Sequence, residues 1–258
     1  MVKNKANKFT NYPPINVENL TVWYGANLAL SNINIKINPG EFLGLIGPNG
    51  GGKSTLLKTI LGLIKPFSGE VSIFGYQPGK IKSLIGYIPQ IISLNRNFPA
   101  SVKDVVLMAK LPGKLIPFHR YTKKDKEEVN SLLNKLGIYH IKDKQISQIS
   151  GGEFQKTLIA RALATEPSIL ILDEPSASID AKSKNQIYEL LNELKGDKTI
   201  ILVTHELSKI FYYTTTIACL NKTLVYYGEP ALNETITKEL YGYPVKFGAK
   251  KISRRQVT

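Results

Sequence analysis

A glycine-rich segment between an apolar run and a helical pattern constrains this chain most. Residues 41–46 are typical of a buried strand, and residues 54–60 are typical of a helix. The segment between them fits the pattern G-x-x-x-x-G-K-[ST] and consists of Gly47, Pro48, Asn49, Gly50, Gly51, Gly52, Lys53, Ser54 and Thr55. Because glycines let backbone N–H groups close around dispersed negative charge at a helix N-terminus, the segment predicts a polyphosphate-binding loop.

Lys53 and Ser54 have different predicted roles in this loop. Lys53 would reach the β and γ phosphates of a nucleotide, whereas the Ser54 hydroxyl is suited to ligate Mg²⁺, because a small, hard cation prefers oxygen. A plain glycine-rich turn is the structural alternative. The strand before the loop and the helix after it both argue against that alternative.

Two adjacent carboxylates follow a second apolar run. Residues 168–172 form a short unbroken run, which is typical of a strand covered on both faces in a parallel sheet. Asp173 and Glu174 then fall at the carboxyl end of the strand, where such sheets bind ligands. We expect Asp173 to hold Mg²⁺ and Glu174 to accept a proton from an attacking water. A helix cap would account for one acid but not for two.

A third motif has a structural explanation of its own. Ser150 with Glu153 three residues later is a capping box, which predicts the start of a helix. The apolar residues that follow share one helical face: Phe154, Leu158, Ile159 and Ala162. Periodicity alone does not decide whether this segment has a role beyond beginning a helix.

The three motifs, in this order, resemble those of an ATP-binding cassette (ABC) ATPase. Residues 149–153 are similar to the family signature Leu-Ser-Gly-Gly-Gln, with Ile149 in place of Leu and Glu153 in place of Gln. The resemblance implies ATP and Mg²⁺ as cofactors, and a head-to-tail dimer of two cassettes around two ATP molecules. It also implies that the following residues contact the γ-phosphate of ATP held by the second copy: Ser150, Gly151 and Gly152.

Four further positions match residues of this family. Tyr24 matches the aromatic residue that stacks on adenine, although an ordinary strand tyrosine is the alternative. Gln90 matches the glutamine that senses Mg²⁺ and the attacking water, and His205 matches the histidine that contacts the γ-phosphate. Asp180 matches the loop that crosses to the partner, although it would equally cap a helix over residues 181–195.

The order of the motifs predicts an α/β fold. We expect a P-loop nucleotide-binding cassette with a mostly parallel core sheet, an N-terminal β subdomain and an inserted α-helical subdomain. A single ABC ATPase domain is predicted over residues 16–235, with its core at 16–90 and 166–235 and the helical insertion at 91–165. A C-terminal helix and basic tail would follow at residues 236–258.

Composition indicates a chain that does not span a membrane. The 258 residues include 43% hydrophobic residues, enough for one sizeable core, and no run of 18 apolar residues occurs. Cys219 is the single cysteine, so it cannot form an internal disulfide. The formal net charge of +14 comes from scattered lysines, which favours a solvated basic surface, and we expect no nucleic-acid partner. The expected location is peripheral, on the cytoplasmic face of the cell membrane.

Three segments resemble zinc and manganese uptake cassettes: residues 97–108, 218–223 and 240–245. This likeness implies separately encoded transmembrane permease subunits and, indirectly, an extracytoplasmic substrate-binding protein. Two alternatives stay open. One is a cassette of a ferric-siderophore or cobalamin importer, and the other is a non-transport ABC ATPase such as an iron-sulfur assembly factor.

Residues 91–98 are too apolar for an ordinary surface loop. They suggest a docking surface for a short helix of a membrane partner. The alternative is that their side chains pack into the helical insertion.

Overall fold

The computed structural model describes residues 12–90, 98–112, 119–175 and 179–242. These residues form nine strands: β1 (Ile15–Tyr24), β2 (Asn27–Ile37), β3 (Phe42–Ile46), β4 (Ser68–Ser72), β5 (Ile85–Ile88), β6 (Ile169–Asp173), β7 (Thr199–Val203), β8 (Thr216–Asn221) and β9 (Thr223–Gly228). The same residues form seven α-helices: α1 (Lys53–Ile60), α2 (Val102–Leu107), α3 (Lys123–Lys135), α4 (Gly151–Leu163), α5 (Ala181–Leu194), α6 (Leu207–Tyr213) and α7 (Glu234–Tyr241).

The central sheet has six strands in the order β5-β6-β7-β3-β8-β9. Neighbouring strands from β5 to β8 pair in parallel, and only β9 runs antiparallel to its neighbour β8. Every residue of β3, β6 and β7 is buried, as expected for strands covered by other elements on both faces. The predicted mostly parallel core sheet is confirmed.

A second sheet is antiparallel, with the order β2-β1-β4. Along β2 from residue 32 to residue 37, exposed asparagine and lysine residues alternate with buried isoleucines. This period of two is typical of a sheet that is solvated on one face and packed on the other. Its apolar face joins the core around β3 and α1. This sheet is the predicted N-terminal β subdomain.

The residues between β5 and β6 contribute three helices and no strand within the described ranges. Ser101 and Thr122 each form a capping box, at the start of α2 and of α3 respectively. The buried faces of α2, α3 and α4 share one apolar cluster with β5, β6 and β7. The predicted inserted α-helical subdomain is therefore present in the fold.

Parts of the sequence-based expectations fall outside the described residues. Residues 91–97 of the expected docking surface lie outside the described ranges, whereas Phe98 lies inside them and is 48% exposed. The expected basic tail lies outside them from residue 243 onwards, and α7, which begins at Glu234, crosses the expected boundary between residues 235 and 236. The domain boundaries at 16–235 and 91–165 stay a prediction.

No helix in the described part of the chain is both long enough and apolar enough to cross a membrane.

The cysteine provides a test of the packing around β8. Cys219 is 0% exposed, and its neighbours include Ile46, Ile210 and Leu240. Burial disfavours the thiolate and raises the pKa of the Cys219 thiol to about 12. We therefore expect no reaction with a disulfide reagent such as dithionitrobenzoate at pH 8 in the native protein, and one thiol per chain in denaturant. Rapid reaction of the native protein would contradict this packing.

Candidate functional site

The glycine-rich loop connects β3 to α1, and at two of its positions only glycine fits. A Cβ atom on Gly47 would collide with the carbonyl oxygen of Leu220. Gly52 has φ +96, and a Cβ atom there would lie 2.5 Å from the Leu30 side chain. Both the close packing and the left-handed backbone therefore require glycine. Leu220 belongs to β8, so the central sheet supports the loop directly.

Lys53 occupies the first position of α1 and is held inside the loop. Its side chain is only 7% exposed, and Nζ donates hydrogen bonds of 2.9 Å to the carbonyl oxygens of Gly47 and Pro48. Burial lowers the pKa of Lys53, while the charges of Glu174 and Asp173 act in the opposite direction. These contacts hold the lysine side chain at the backbone that the sequence assigns to phosphate binding.

Ser54 and Asp173 come together across the sheet edge. Ser54 Oγ donates a 3.0 Å hydrogen bond to Asp173 Oδ2. Asp173 is only 4% exposed, and burial raises its pKa. The hydrogen bond from Ser54 opposes that rise, whereas the nearby Glu174 carboxylate adds to it. The result is a pair of adjacent oxygen donors of the kind that Mg²⁺ prefers.

Glu174 is held from three directions. Gln90 Nε2 donates a 2.7 Å hydrogen bond to Oε2, and His205 Nε2 lies 2.7 Å from Oε1. The Glu174 backbone N–H donates to the carbonyl oxygen of Val203 at the end of β7. Glu174 also has φ 50, a left-handed conformation that costs a non-glycine residue about 1–2 kcal/mol. This conformation takes Glu174 away from the buried path of β6 and towards Gln90 and His205.

An open cavity of about 610 Å³ lies over the loop. Its walls are formed by Tyr24, residues 27–29, residues 49–55, Gln90, Glu174 and Lys222. Asp173 and His205 do not line the cavity themselves, but each contacts a residue that does. Asp173 accepts a hydrogen bond from Ser54, and His205 contacts Glu174. The structure therefore brings together Tyr24, the loop, the two carboxylates, Gln90 and His205.

Residues 27–29 and Lys222 were not predicted as site residues. Residues 27–29 begin β2 directly after the turn that follows Tyr24, so their closeness to Tyr24 along the chain was an available signal. Lys222 lies between β8 and β9 and carried no comparable signal. It reaches the loop through the pairing of β8 with β3.

Ser150 and its neighbours form a separate group at the N-termini of α4 and α5. The capping box is present: Ser150 Oγ accepts from the Glu153 N–H, and Glu153 Oε2 accepts from the Ser150 N–H at 2.8 Å. Asp180 caps α5 by accepting from the Ser183 N–H at 2.9 Å. A Cβ atom on Gly152 would collide with Ser183, so the two helix starts pack closely.

None of Ser150, Gly151, Gly152 and Asp180 lines the cavity over the loop. Ser150 and Asp180 are exposed. The predicted site residues of one chain therefore form two separate groups, one around the cavity and one at the N-termini of α4 and α5.

Comparison with known proteins gives consistent matches. Residues 30–177 match the family model described as ABC transporter. The chain is 40% identical to a manganese transport system ATP-binding protein of Halalkalibacterium halodurans, over 92% of this chain and 96% of that protein. It is 38% identical to a zinc uptake system ATP-binding protein of Listeria monocytogenes, over 83% and 85% of the two chains.

Solved structures agree with this match. A metal-chelate type ABC transporter in an inward-facing conformation is 29% identical, with a TM-score of 0.78 over 90% of each chain. The ADP conformation of an ATP-binding cassette from an ABC transporter is 25% identical, with a TM-score of 0.75 over 88% of this chain and 94% of the other.

Proposed function

This chain belongs to the ABC transporter family, whose cassettes bind and hydrolyse ATP, and we propose that it powers the import of a metal cation of the manganese or zinc type. The hydrolytic part of this proposal rests on one observation above all. Glu174 lines the same cavity as the glycine-rich loop, and both of its carboxylate oxygens contact side chains that follow other strands.

The choice of a metal cation rests on the relatives. Those that are about 40% identical over most of the chain include manganese transport proteins from more than one bacterium. The metal-chelate type transporter is 29% identical, so import of a metal chelate is the second candidate. The cation itself would be carried by other subunits, because the residues of this site are suited to a nucleotide.

Glu174 has the geometry of a general base. A carboxylate has about four lone-pair sites, so the contacts with Gln90 and His205 leave capacity to accept a proton from water. The same two contacts fix the carboxylate in place against the cavity. Glu174 would accept the proton of the attacking water, while Lys53 and the loop N–H groups would hold the phosphates.

Ser54 and Asp173 would hold Mg²⁺, with Gln90 nearby on the cavity wall. Their oxygens fit a hard cation, and Asp173 has no basic partner within hydrogen-bonding distance among the described residues that would compete for it. When bound, the ion would neutralise negative charge on the β and γ phosphates. Tyr24, which is 48% exposed on the cavity wall, would stack on adenine.

The separation of the two residue groups supports a dimer as the active form. Ser150, Gly151 and Gly152 lie at a helix N-terminus, where partial positive charge favours phosphate, yet they do not line the cavity of their own chain. In a head-to-tail dimer they would close on ATP held by the partner, and Asp180 would lie at the same interface. Each chain would then complete the site of the other.

Transmembrane permease subunits are the proposed partners at the membrane, and an extracytoplasmic binding protein would deliver the cation to them. The cassette would then lie at the cytoplasmic face of the cell membrane. A partner that docks on residues 91–98 would touch the segment directly after Gln90. Because Gln90 holds Glu174, such docking would link the membrane subunits to the hydrolytic base.

Replacing the proposed base separates hydrolysis from binding. We expect Glu174→Gln to reduce the rate of ATP hydrolysis by about 10²- to 10⁴-fold, because an amide cannot accept the proton of the attacking water. ATP affinity, measured by calorimetry, should stay close to that of the original chain. Lys53→Ala is the matched control, since loss of a direct charge partner should weaken binding itself. Near-normal turnover by Glu174→Gln would remove Glu174 from this role.

Mixing two inactive variants tests the composite site. Lys53→Ala disables the loop of one chain, and Ser150→Arg disables the signature of the other. A mixed dimer should contain one site that lacks both elements and one intact site, so an equal mixture should recover up to about a quarter of the original ATPase activity if the two sites act independently. Activity equal to the sum of the separate variants at every ratio would contradict the composite arrangement.

The transport proposal requires the partner subunits. We expect membrane vesicles that contain this chain and the permease subunits encoded beside it to accumulate Mn²⁺ or Zn²⁺ when ATP is supplied to the cassette. Vesicles with the Glu174→Gln chain are the control and should not accumulate either cation. ATP-dependent uptake of a ferric chelate instead of the bare cations would favour the second candidate.

A further inference from the structure

A lysine with an unusual backbone conformation lies at the edge of the cavity. Asn221 pairs with Thr223 at the end of the β8–β9 hairpin, so Lys222 alone forms its tip. Lys222 has φ 60, in the left-handed region. Glycine and asparagine adopt this conformation readily, whereas a lysine there is uncommon and strained. Strain of this kind often accompanies a functional position.

The backbone of Lys222 is fixed from both sides. Its N–H donates a 2.9 Å hydrogen bond to the carbonyl oxygen of Gly51 in the phosphate loop. Its own carbonyl oxygen accepts a 2.7 Å hydrogen bond from Ser31 in β2. These bonds account for the turn and its position, but glycine would satisfy them equally well. They do not account for the presence of a lysine side chain.

Lys222 lies where a cation is useful. Lys222 is exposed and lines the same cavity as the loop, Tyr24 and Glu174. Lys53, the other lysine of the cavity wall, is almost buried and donates to two loop carbonyls. Lys222 therefore supplies a solvent-accessible positive charge to a cavity whose ligand would carry several negative charges.

We propose that Lys222 is a further nucleotide-binding residue, whose ammonium group contacts the phosphates of ATP from the hairpin side of the cavity. This inference rests on the proposed binding of ATP in that cavity. The hydrogen bond to Gly51 keeps the lysine beside the phosphate loop, so that its charge acts on the phosphates without ordering a long mobile segment.

The test compares Lys222→Gly, Lys222→Gln and Lys36→Gln in the full chain. Lys222→Gly removes the charge and relieves the backbone, whereas Lys222→Gln removes only the charge. Lys36 is an exposed lysine of β2 that does not line the cavity, so Lys36→Gln is a matched control for the loss of one positive charge. ATP affinity is measured by calorimetry at about 50 mM and about 500 mM salt, because salt screens exposed charges.

We expect both Lys222 variants to bind ATP about threefold to tenfold more weakly at low salt, with a smaller difference at high salt. Lys36→Gln should bind as the original chain does. The midpoint of thermal unfolding without nucleotide should be unchanged or higher for Lys222→Gly, because glycine adopts positive φ without strain. Affinity and stability would then change in different directions, which general damage to the fold would not produce.

Two results would overturn the inference. ATP affinity within twofold of the original chain for both Lys222 variants would show that this lysine is only a solvated surface charge. An equal loss of affinity in Lys36→Gln would show that net charge, and not contact, is responsible. Both results presuppose that the original chain binds ATP, so they would overturn this inference alone, whereas an original chain that did not bind ATP would overturn the proposed function itself.

Discussion

The site depends on the position of β7, which forms hydrogen bonds with β6 on one side and with β3 on the other. Val203, the last residue of β7, pairs with Asp173 on one side and with Leu45 on the other. Because the three strands are parallel and end in register, the phosphate loop, the acidic pair and His205 all follow at the same sheet edge. The Val203 carbonyl oxygen also accepts from the Glu174 N–H, so the register fixes the backbone of the proposed base.

The acidic pair shows how two neighbouring carboxylates acquire different properties. Asp173 continues β6, is almost fully buried and binds Ser54, and its pKa is raised mainly by burial. Glu174 leaves the strand through a left-handed conformation, and its side chain is 15% exposed. The buried oxygens suit a cation and the more accessible ones suit a proton from water. A single backbone turn therefore separates the two proposed roles.

Local patterns predicted most of the fold and part of the site. The strands β3 and β6 were predicted from the patterns at residues 41–46 and 168–172, because strands covered on both faces consist of such apolar runs. Gln90 and Glu174 are 84 residues apart, and only the family resemblance connected them before the structure. Lys222 was missed because its place on the cavity wall depends on how separate strands pair, which no local pattern records. Residues 27–29 were missed although they follow Tyr24 closely along the chain.

Ser150 at the start of α4 has two roles: it caps its own helix, and it is proposed to contact ATP held by a partner chain. Ser150 Oγ accepts from the Glu153 N–H and also donates to the Glu153 carboxylate at 2.8 Å. The backbone and side-chain hydrogen bonds from Ser150 lower the pKa of Glu153, so its negative charge remains beside the helix N-terminus. A partner's γ-phosphate would meet that charge as well as the favourable helix dipole. With Glu where the family signature has Gln, the capping box that begins the helix would therefore place a negative charge beside that phosphate in the proposed dimer.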